Sequence, residues 1–139
     1  VTEFGAGVVL VGGPADQSLA AEVAALSPPG VVNLAGKTNL LELAEVLHQV
    51  NVAVSGDSGP MHLAAAVGTS VVAVFTCTSP VRAGPHGTGH RVVATQVDCA
   101  ASYRRTCPHL SCMNELTVDR VWSAVAASLR EVVEKPLAG

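Results

Sequence analysis

Short apolar runs punctuate the chain, each closed by glycine, proline or small polar residues. The first, Gly7–Val11 (GVVLV), is continuous and rich in β-branched residues, and it ends at Gly12–Gly13–Pro14, the pattern of a buried parallel strand entering a turn. Pro14 suits the first turn of a helix reaching about Ala25, predicted to bury Leu19, Val23 and Leu26 before Ser27–Pro28–Pro29–Gly30 stops it. Val31–Leu34 reads as a second strand. After Ala35–Gly36–Lys37–Thr38, Asn39 and Glu42 have the spacing of a capping box, and the helix they open carries an apolar face of Leu40, Leu43, Ala44, Leu47 and Val50.

The alternation continues. Val52–Ser55 is a third strand, Gly56–Asp57–Ser58–Gly59–Pro60 a tight loop, and Met61–Val67 a short helix stopped by Gly68, the usual left-handed terminus. Val71–Phe75 forms a fourth strand, Thr76–Gly89 reads as irregular, and Arg91–Ala94 adds a fifth strand. From Thr117, as N-cap, a last helix aligns Val118, Val121, Trp122, Val125, Leu129 and Val132 and ends near Glu134, with Pro136 just beyond and Trp122 either anchoring it in the core or facing a partner. Strands alternating with helices across short glycine-rich turns predict an α/β fold, a Rossmann-like parallel sheet with helices on both faces.

Composition agrees with one domain over 1–139: at 139 residues, 49% of them hydrophobic and 14% charged, the chain can bury a single sizeable core. No run is long enough to span a bilayer, and Val1–Gly7 lacks the basic and apolar stretches of a signal peptide, so a cytoplasmic protein is expected. The net charge of −3, with basic residues scattered apart from Arg104–Arg105, predicts no nucleic-acid partner. A first residue of Val, entering a strand almost at once, is expected of a portion of a longer polypeptide.

In a parallel sheet of this kind ligands collect beyond the carboxyl ends of the strands. The most informative turn there is Ser55–His62 (SGDSGPMH), where a buried strand opens directly into a helix whose first amides lack internal partners. An anion is favoured at such a helix start: Gly59 admits a phosphate close to the backbone, Ser58 offers a hydroxyl, and the amides near Met61 and His62 add donors. Asp57 would repel phosphate, so its use beside one is to accept hydrogen bonds from neutral sugar hydroxyls, and the combination describes a sugar diphosphate. The plainer reading makes Asp57 and Ser58 helix caps and packs His62 beneath the sheet; that reading is favoured for His62, the functional one for Asp57.

Asn33–Leu34–Ala35–Gly36–Lys37–Thr38, then Asp57–Ser58–Gly59–Pro60–Met61–His62–Leu63–Ala64–Ala65–Ala66–Val67–Gly68–Thr69, resemble the ADP-heptose:lipopolysaccharide heptosyltransferases of glycosyltransferase family 9. Val9–Pro14, Val71–Pro80 and Cys107–Val121 extend the resemblance over nearly the whole chain. It implies the C-terminal half of a two-domain GT-B enzyme that inverts the anomeric centre, binding ADP-heptose or a related nucleotide sugar and needing no cofactor. The lipopolysaccharide core acceptor would sit on an N-terminal domain absent from this chain, and the full-length enzyme would work in the cytoplasm, peripherally at the inner membrane. Carried onto matching positions, Asp57 binds heptose hydroxyls; Ser58 and Gly59, with the Met61 and His62 amides, receive the diphosphate. Lys37 and Thr38 line the adenine pocket, and Asp16 faces the ribose unless it serves only as first-turn charge. Thr76, Thr78, Ser79 and Pro80 stand where the family tends to a Gly-Pro-Thr type sequence, here interrupted by Cys77. No carboxylate here is a persuasive catalytic base, so the isolated chain is expected to bind donor without turnover.

Cys99, Cys107 and Cys112, with His109, lack familiar zinc spacings; reduced cysteines are expected first, a Cys107–Cys112 disulfide second and zinc third. Gly12–Gly13–Pro14 is not the G-x-G-x-x-G of an NAD enzyme. The remaining rivals are a non-catalytic nucleotide-binding module and a transferase for another nucleotide sugar.

Overall fold

A computed structural model describes residues 2–104 and 106–134, so Pro136 lies outside the described residues. The chain divides into two compact units, Val1–Val46 and Leu47–Gly139.

In the first unit, β1 (Val8–Leu10) and β2 (Val31–Asn33) pair in parallel, with Val9 opposite Val32. The ladder runs on past both strands, as Leu34 N–H donates to Leu10 O at 2.9 Å and Gly36 N–H to Gly12 O at 2.8 Å. Pro14 opens a 3₁₀ turn, Pro14–Asp16, that leads into α1 (Gln17–Leu26). The expected burial of Leu19, Val23 and Leu26 is corrected: they are 64%, 42% and 90% exposed. Ala20 and Ala24 are the less exposed positions of α1, so the helix, packed on β2, turns its small residues inward; small side chains let a helix approach a narrow two-stranded ladder closely.

Asn39 opens α2 (Leu40–Gln49) as expected: its Oδ1 accepts from the Leu41 and Glu42 amides at 2.9 and 3.0 Å, while Glu42 Oε2 accepts the Asn39 amide at 2.8 Å. Leu43 and Ala44 are half-buried and Leu47 buried, but Leu40 is 70% exposed: it shares their stripe, and its place in the first turn leaves it uncovered.

In the second unit, β3 (Val52–Gly56), β4 (Ser70–Phe75) and β5 (Arg91–Ala94) form a parallel sheet in that order, registered Val54 with Val72 and Val74 with Val93. The strands are parallel throughout, as the alternation predicted, with one sheet in each unit. Successive strand residues face opposite sides, and Val71, Val72 and Ala73 are all fully buried, so both faces of β4 are covered. The helices packed on β4 are α3 (Gly59–Ala66) and the longest helix, which closes the unit. Met61 and Ala64 hold α3 to the core at 0% exposure. Gly68 stops α3 at φ +86°, a left-handed value that disfavours any side chain, while Gly68 and Thr69 amides bond the Ala65 and Ala64 carbonyls.

Two short helices were not predicted: α4 (Pro80–Ala83), inside the stretch read as irregular, and α5 (Ser111–Glu115). The closing helix, α6 (Val118–Glu134), starts from Thr117, whose carbonyl accepts the Val121 amide at 3.3 Å. Its buried residues are Ala126 and Ser128, and Val121, Val125, Leu129 and Val132 are half-buried. Val118, at 82% exposure, departs from the expected core face, and Trp122 is 38% exposed at its edge; the fully buried positions are taken by small residues that let α6 approach the sheet.

Candidate functional site

The carboxyl ends of β3 and β4 meet at a cavity of about 310 Å³, lined by Gly56, Asp57, Val74, Thr76, Cys77, Thr78 and Met113. Asp57 reaches it from the turn between β3 and α3. Its side chain is 23% exposed, and the His62 ring stands beside it, with Nε2 3.9 Å from Asp57 Oδ1. His62 is half-exposed, so the expectation that it packs beneath the sheet is corrected: Met61 and Ala64, three residues apart, take the inward positions, and His62, about a third of a turn on from Met61, is left outside that face.

Ser58 is the N-cap of α3 by position, with extended backbone, but its hydroxyl makes no capping bond. It lies 2.9 Å from the Ser55 hydroxyl and donates to the Gly56 carbonyl at 3.3 Å, so the side-chain caps of the plainer reading are not formed. Among the described residues nothing bonds the Gly59 amide, and Pro60 has none. The His62 amide closes the first helical turn onto Ser58 O at 3.4 Å, and Met61 is wholly buried, its amide included. In this ligand-free chain the His62 amide is therefore engaged by the helix and the Met61 amide is covered. The exposed, unengaged donor at the helix start is Gly59, and a Cβ built there meets no atom within 4 Å. A compact negative group is what such an opening at the positive end of a helix favours.

The far wall of the cavity is the segment after β4. Ala101 N–H donates to Thr76 O at 3.4 Å and Tyr103 N–H to Cys77 O at 2.7 Å, while Tyr103 Oη accepts the Ser79 amide at 3.4 Å. Cys77, expected to interrupt this turn, and Val74, Met113 and Tyr103 went unassigned by sequence reasoning. The position of Cys77 between two threonines at a strand's carboxyl end was a usable signal; nothing in the spacing marks Met113 or Tyr103.

In the first unit, the residues expected at a nucleoside occupy the turns after β1 and β2. Asp16 Oδ2 accepts the Gly13 amide at 2.8 Å, the first-turn role anticipated as its alternative. Lys37 Nζ donates to Asn33 O at 2.8 Å on an exposed side chain, and Thr38 is half-buried beside it. Gly36, at φ +67°, holds a left-handed conformation that disfavours a side chain, and the Gln17 side chain fills the place where a Cβ would stand.

All four cysteines are free. Amides of His109 and Leu110, aided by Arg104, hold the half-buried Cys107 thiol below its ordinary range. Glu115 Oε2 accepts from Thr95 Oγ1 at 2.7 Å and the Gln96 amide at 3.1 Å, and its other oxygen pairs with Arg120; Thr95 foremost among them, these bonds hold its carboxyl below the usual range. Among the described residues no group of three His, Cys, Asp or Glu side chains could hold a metal ion, and no helix is long and apolar enough to cross a membrane.

The family profile described as glycosyltransferase family 9 (heptosyltransferase) matches residues 1–112. The lipopolysaccharide core heptosyltransferase OpsX of Haemophilus influenzae is 34% identical over 89 residues, 63% of this chain and 26% of that protein. Lipooligosaccharide heptosyltransferase 2 of the same organism is 39% identical over 80 residues, 55% of this chain and 23% of its own length. The chain thus spans about a quarter of the curated relatives it matches. Among solved structures, E. coli ADP-heptose lps heptosyltransferase II superposes with a TM-score of 0.76 at 26% identity, over 91% of this chain and 37% of that one. A glycosyl transferase family 9 protein of Veillonella parvula gives a TM-score of 0.81 at 24% identity over the same shares, and shows the fold alone. These neighbours are GT-B glycosyltransferases, and their α/β architecture of parallel strands flanked by helices is the one found here. On the match across residues 1–112, the chain belongs to glycosyltransferase family 9, the heptosyltransferases.

Proposed function

We propose that this chain is the donor-binding, C-terminal part of an inverting heptosyltransferase that moves heptose from ADP-heptose to the lipopolysaccharide core. The observation that carries the reading is the vacant start of α3: an unengaged Gly59 amide in open space, one residue from Ser58 and two from a carboxylate that lines a cavity. The diphosphate is placed against Ser58 and Gly59, and the sugar in the cavity beside Asp57, where its neutral hydroxyls donate to the carboxylate. In the first unit, Lys37, Thr38 and Asp16 are proposed as nucleoside contacts. The names of the relatives, lipopolysaccharide and lipooligosaccharide heptosyltransferases, support heptose as the sugar.

In the reaction, an acceptor hydroxyl attacks the anomeric carbon, the bond from that carbon to the diphosphate oxygen breaks, and ADP leaves with the electron pair. A base removes the hydroxyl proton. The helix start stabilises the charge that grows on the leaving diphosphate. No carboxylate of this chain is assigned as the base, which is placed on the acceptor-binding domain, so these residues alone bind donor without turning it over.

Gly59→Ala tests the diphosphate site. Its added methyl meets no protein atom, so folding is kept and helix propensity improves, by about 0.4–1 kcal/mol. Calorimetry should show ADP and ADP-heptose weakened together while the melting temperature holds or rises. Unchanged affinity for both ligands refutes the placement, and wild-type protein that binds UDP-sugars in preference refutes the donor.

A further inference from the structure

The cavity beside Asp57 owes one wall to a segment remote in sequence. Residues 76–78 form that wall, and Thr76 and Cys77 each give a carbonyl to the segment 101–103, from the Ala101 and Tyr103 amides. The same tyrosine accepts the Ser79 amide on its hydroxyl, and the Arg82 guanidinium lies 5.6 Å from its ring centroid. Tyr103 therefore grips both ends of the stretch from Cys77 to Arg82, by backbone, hydroxyl and ring. Core packing does not account for it, because the residue is 48% exposed. Its backbone is also held at φ +57°, with Ala101 at +56°, a left-handed conformation unfavourable for side chains of this kind. Such conformations persist where the surroundings over-determine them, and here the surroundings are the wall of a cavity.

We propose that Tyr103 is a positioning residue for the donor sugar: by holding Cys77 and Ser79 it fixes the wall formed by residues 76–78 and so sets the shape that the sugar meets beside Asp57. The proposal rests on the donor-site reading above. It assigns to the wall the discrimination among sugars, a role separate from the diphosphate grip at Gly59, since the tyrosine bonds Cys77 of the wall and neither Ser58 nor Gly59.

The test titrates the full chain and its Y103A, Y103F and A101G variants with ADP, ADP-heptose and ADP-glucose, with a thermal melt of each. Y103A should weaken ADP-heptose at least tenfold, leave ADP within about twofold, and narrow the preference between the two ADP-sugars. Y103F, which keeps the ring and the backbone bond, should lose less than Y103A. A101G, which relieves the left-handed alanine while leaving the tyrosine in place, should bind like wild type. Loss of both ADP and ADP-heptose in equal measure, or no loss of either in a folded Y103A, overturns the proposal while the donor site stands. Should Y103A not fold, Y103F decides: an unchanged ratio of the two ADP-sugar affinities overturns the proposal. Wild-type chain that binds ADP-sugars no better than ADP overturns both the proposal and the reading beneath it.

Discussion

Replacing Asp57 with alanine separates the sugar from the diphosphate. The side chain is 23% exposed and lines a cavity of about 310 Å³, large enough for a sugar ring, with Thr76 and Thr78 across from it. A hydrogen bond to a charged acceptor contributes about 1.5–3 kcal/mol, and partial exposure argues for the lower end. One bond lost then corresponds to about tenfold weaker binding, and two to about a hundredfold. ADP behaves oppositely: with no sugar to hold, it gains from removal of a negative charge near its phosphates, so its affinity should hold or tighten by a few fold, on the order of the screened repulsion between exposed charges. Folding is spared, because among the described residues the contact of Asp57 with His62, at 3.9 Å, is a partly exposed surface contact of about 0–1 kcal/mol at most. Paired calorimetric titrations of Asp57→Ala and wild type with ADP-heptose and ADP read the split directly. Equal weakening of the two ligands refutes the assignment of Asp57 to the sugar, and so does an unchanged ADP-heptose affinity in the variant.

Two further predictions concern the frame that carries the site. Asn39→Ala removes both side-chain bonds to the Leu41 and Glu42 amides and should cost about 1 kcal/mol, lowering the melting midpoint by a few degrees, whereas Asn39→Asp should nearly preserve it; denaturant titration giving equal losses for both contradicts the capping role. Glu115 is held below its ordinary range in the folded chain by Thr95, Gln96 and Arg120, so its stabilisation is complete above the unfolded value of about 4.3 and fades as pH falls through the folded value. Melts between neutral and acid pH should therefore show Glu115→Gln losing less stability on acidification than wild type, and parallel acid profiles would contradict that linkage.

What the sequence disclosed follows from which signals are local. Strands such as Val71–Phe75 are continuous β-branched runs and stand within a residue of their expected ends, and the Asn39–Glu42 box needs only residues three apart. Gly68 terminated α3 where a left-handed position was anticipated. The failures are tertiary. Leu19, Val23 and Leu26 have helical spacing, but a small ladder received α1 through Ala20 and Ala24, and spacing cannot say which of two apolar faces is turned in. The helices α4 and α5 are too short for any periodicity to accumulate. Within the site, Asp57, Ser58 and Gly59 were legible because a strand, a turn and a helix start adjoin in sequence. The burial of the Met61 amide was not, since it depends on how deeply α3 seats in the core. Tyr103 was illegible for the same reason, its partners lying some two dozen residues away.

That seating of α3 joins the core to the chemistry. Only eight residues long, the helix could not hold its own shape in water, and isolated helices of such length are marginal at best. Its order comes from Met61 and Ala64, which are fully buried in a unit whose central strand carries Val71, Val72 and Ala73 with no exposed surface. A helix start fixed in this way can keep a donor amide unengaged, because the free energy that orders the turn comes from the core and not from a capping side chain. Ser58 is spared for the same reason: its hydroxyl bonds back to Ser55 and Gly56, steadying the turn without closing the helix end. Cutting Met61 back to alanine should therefore damage donor binding as well as stability, although its side chain never reaches the surface, and the two losses should track each other across a Met61→Leu, Met61→Val and Met61→Ala series. Affinity that stayed constant along that series while stability fell by about 2–5 kcal/mol at its alanine end would show that the opening is ordered by something other than the core beneath it.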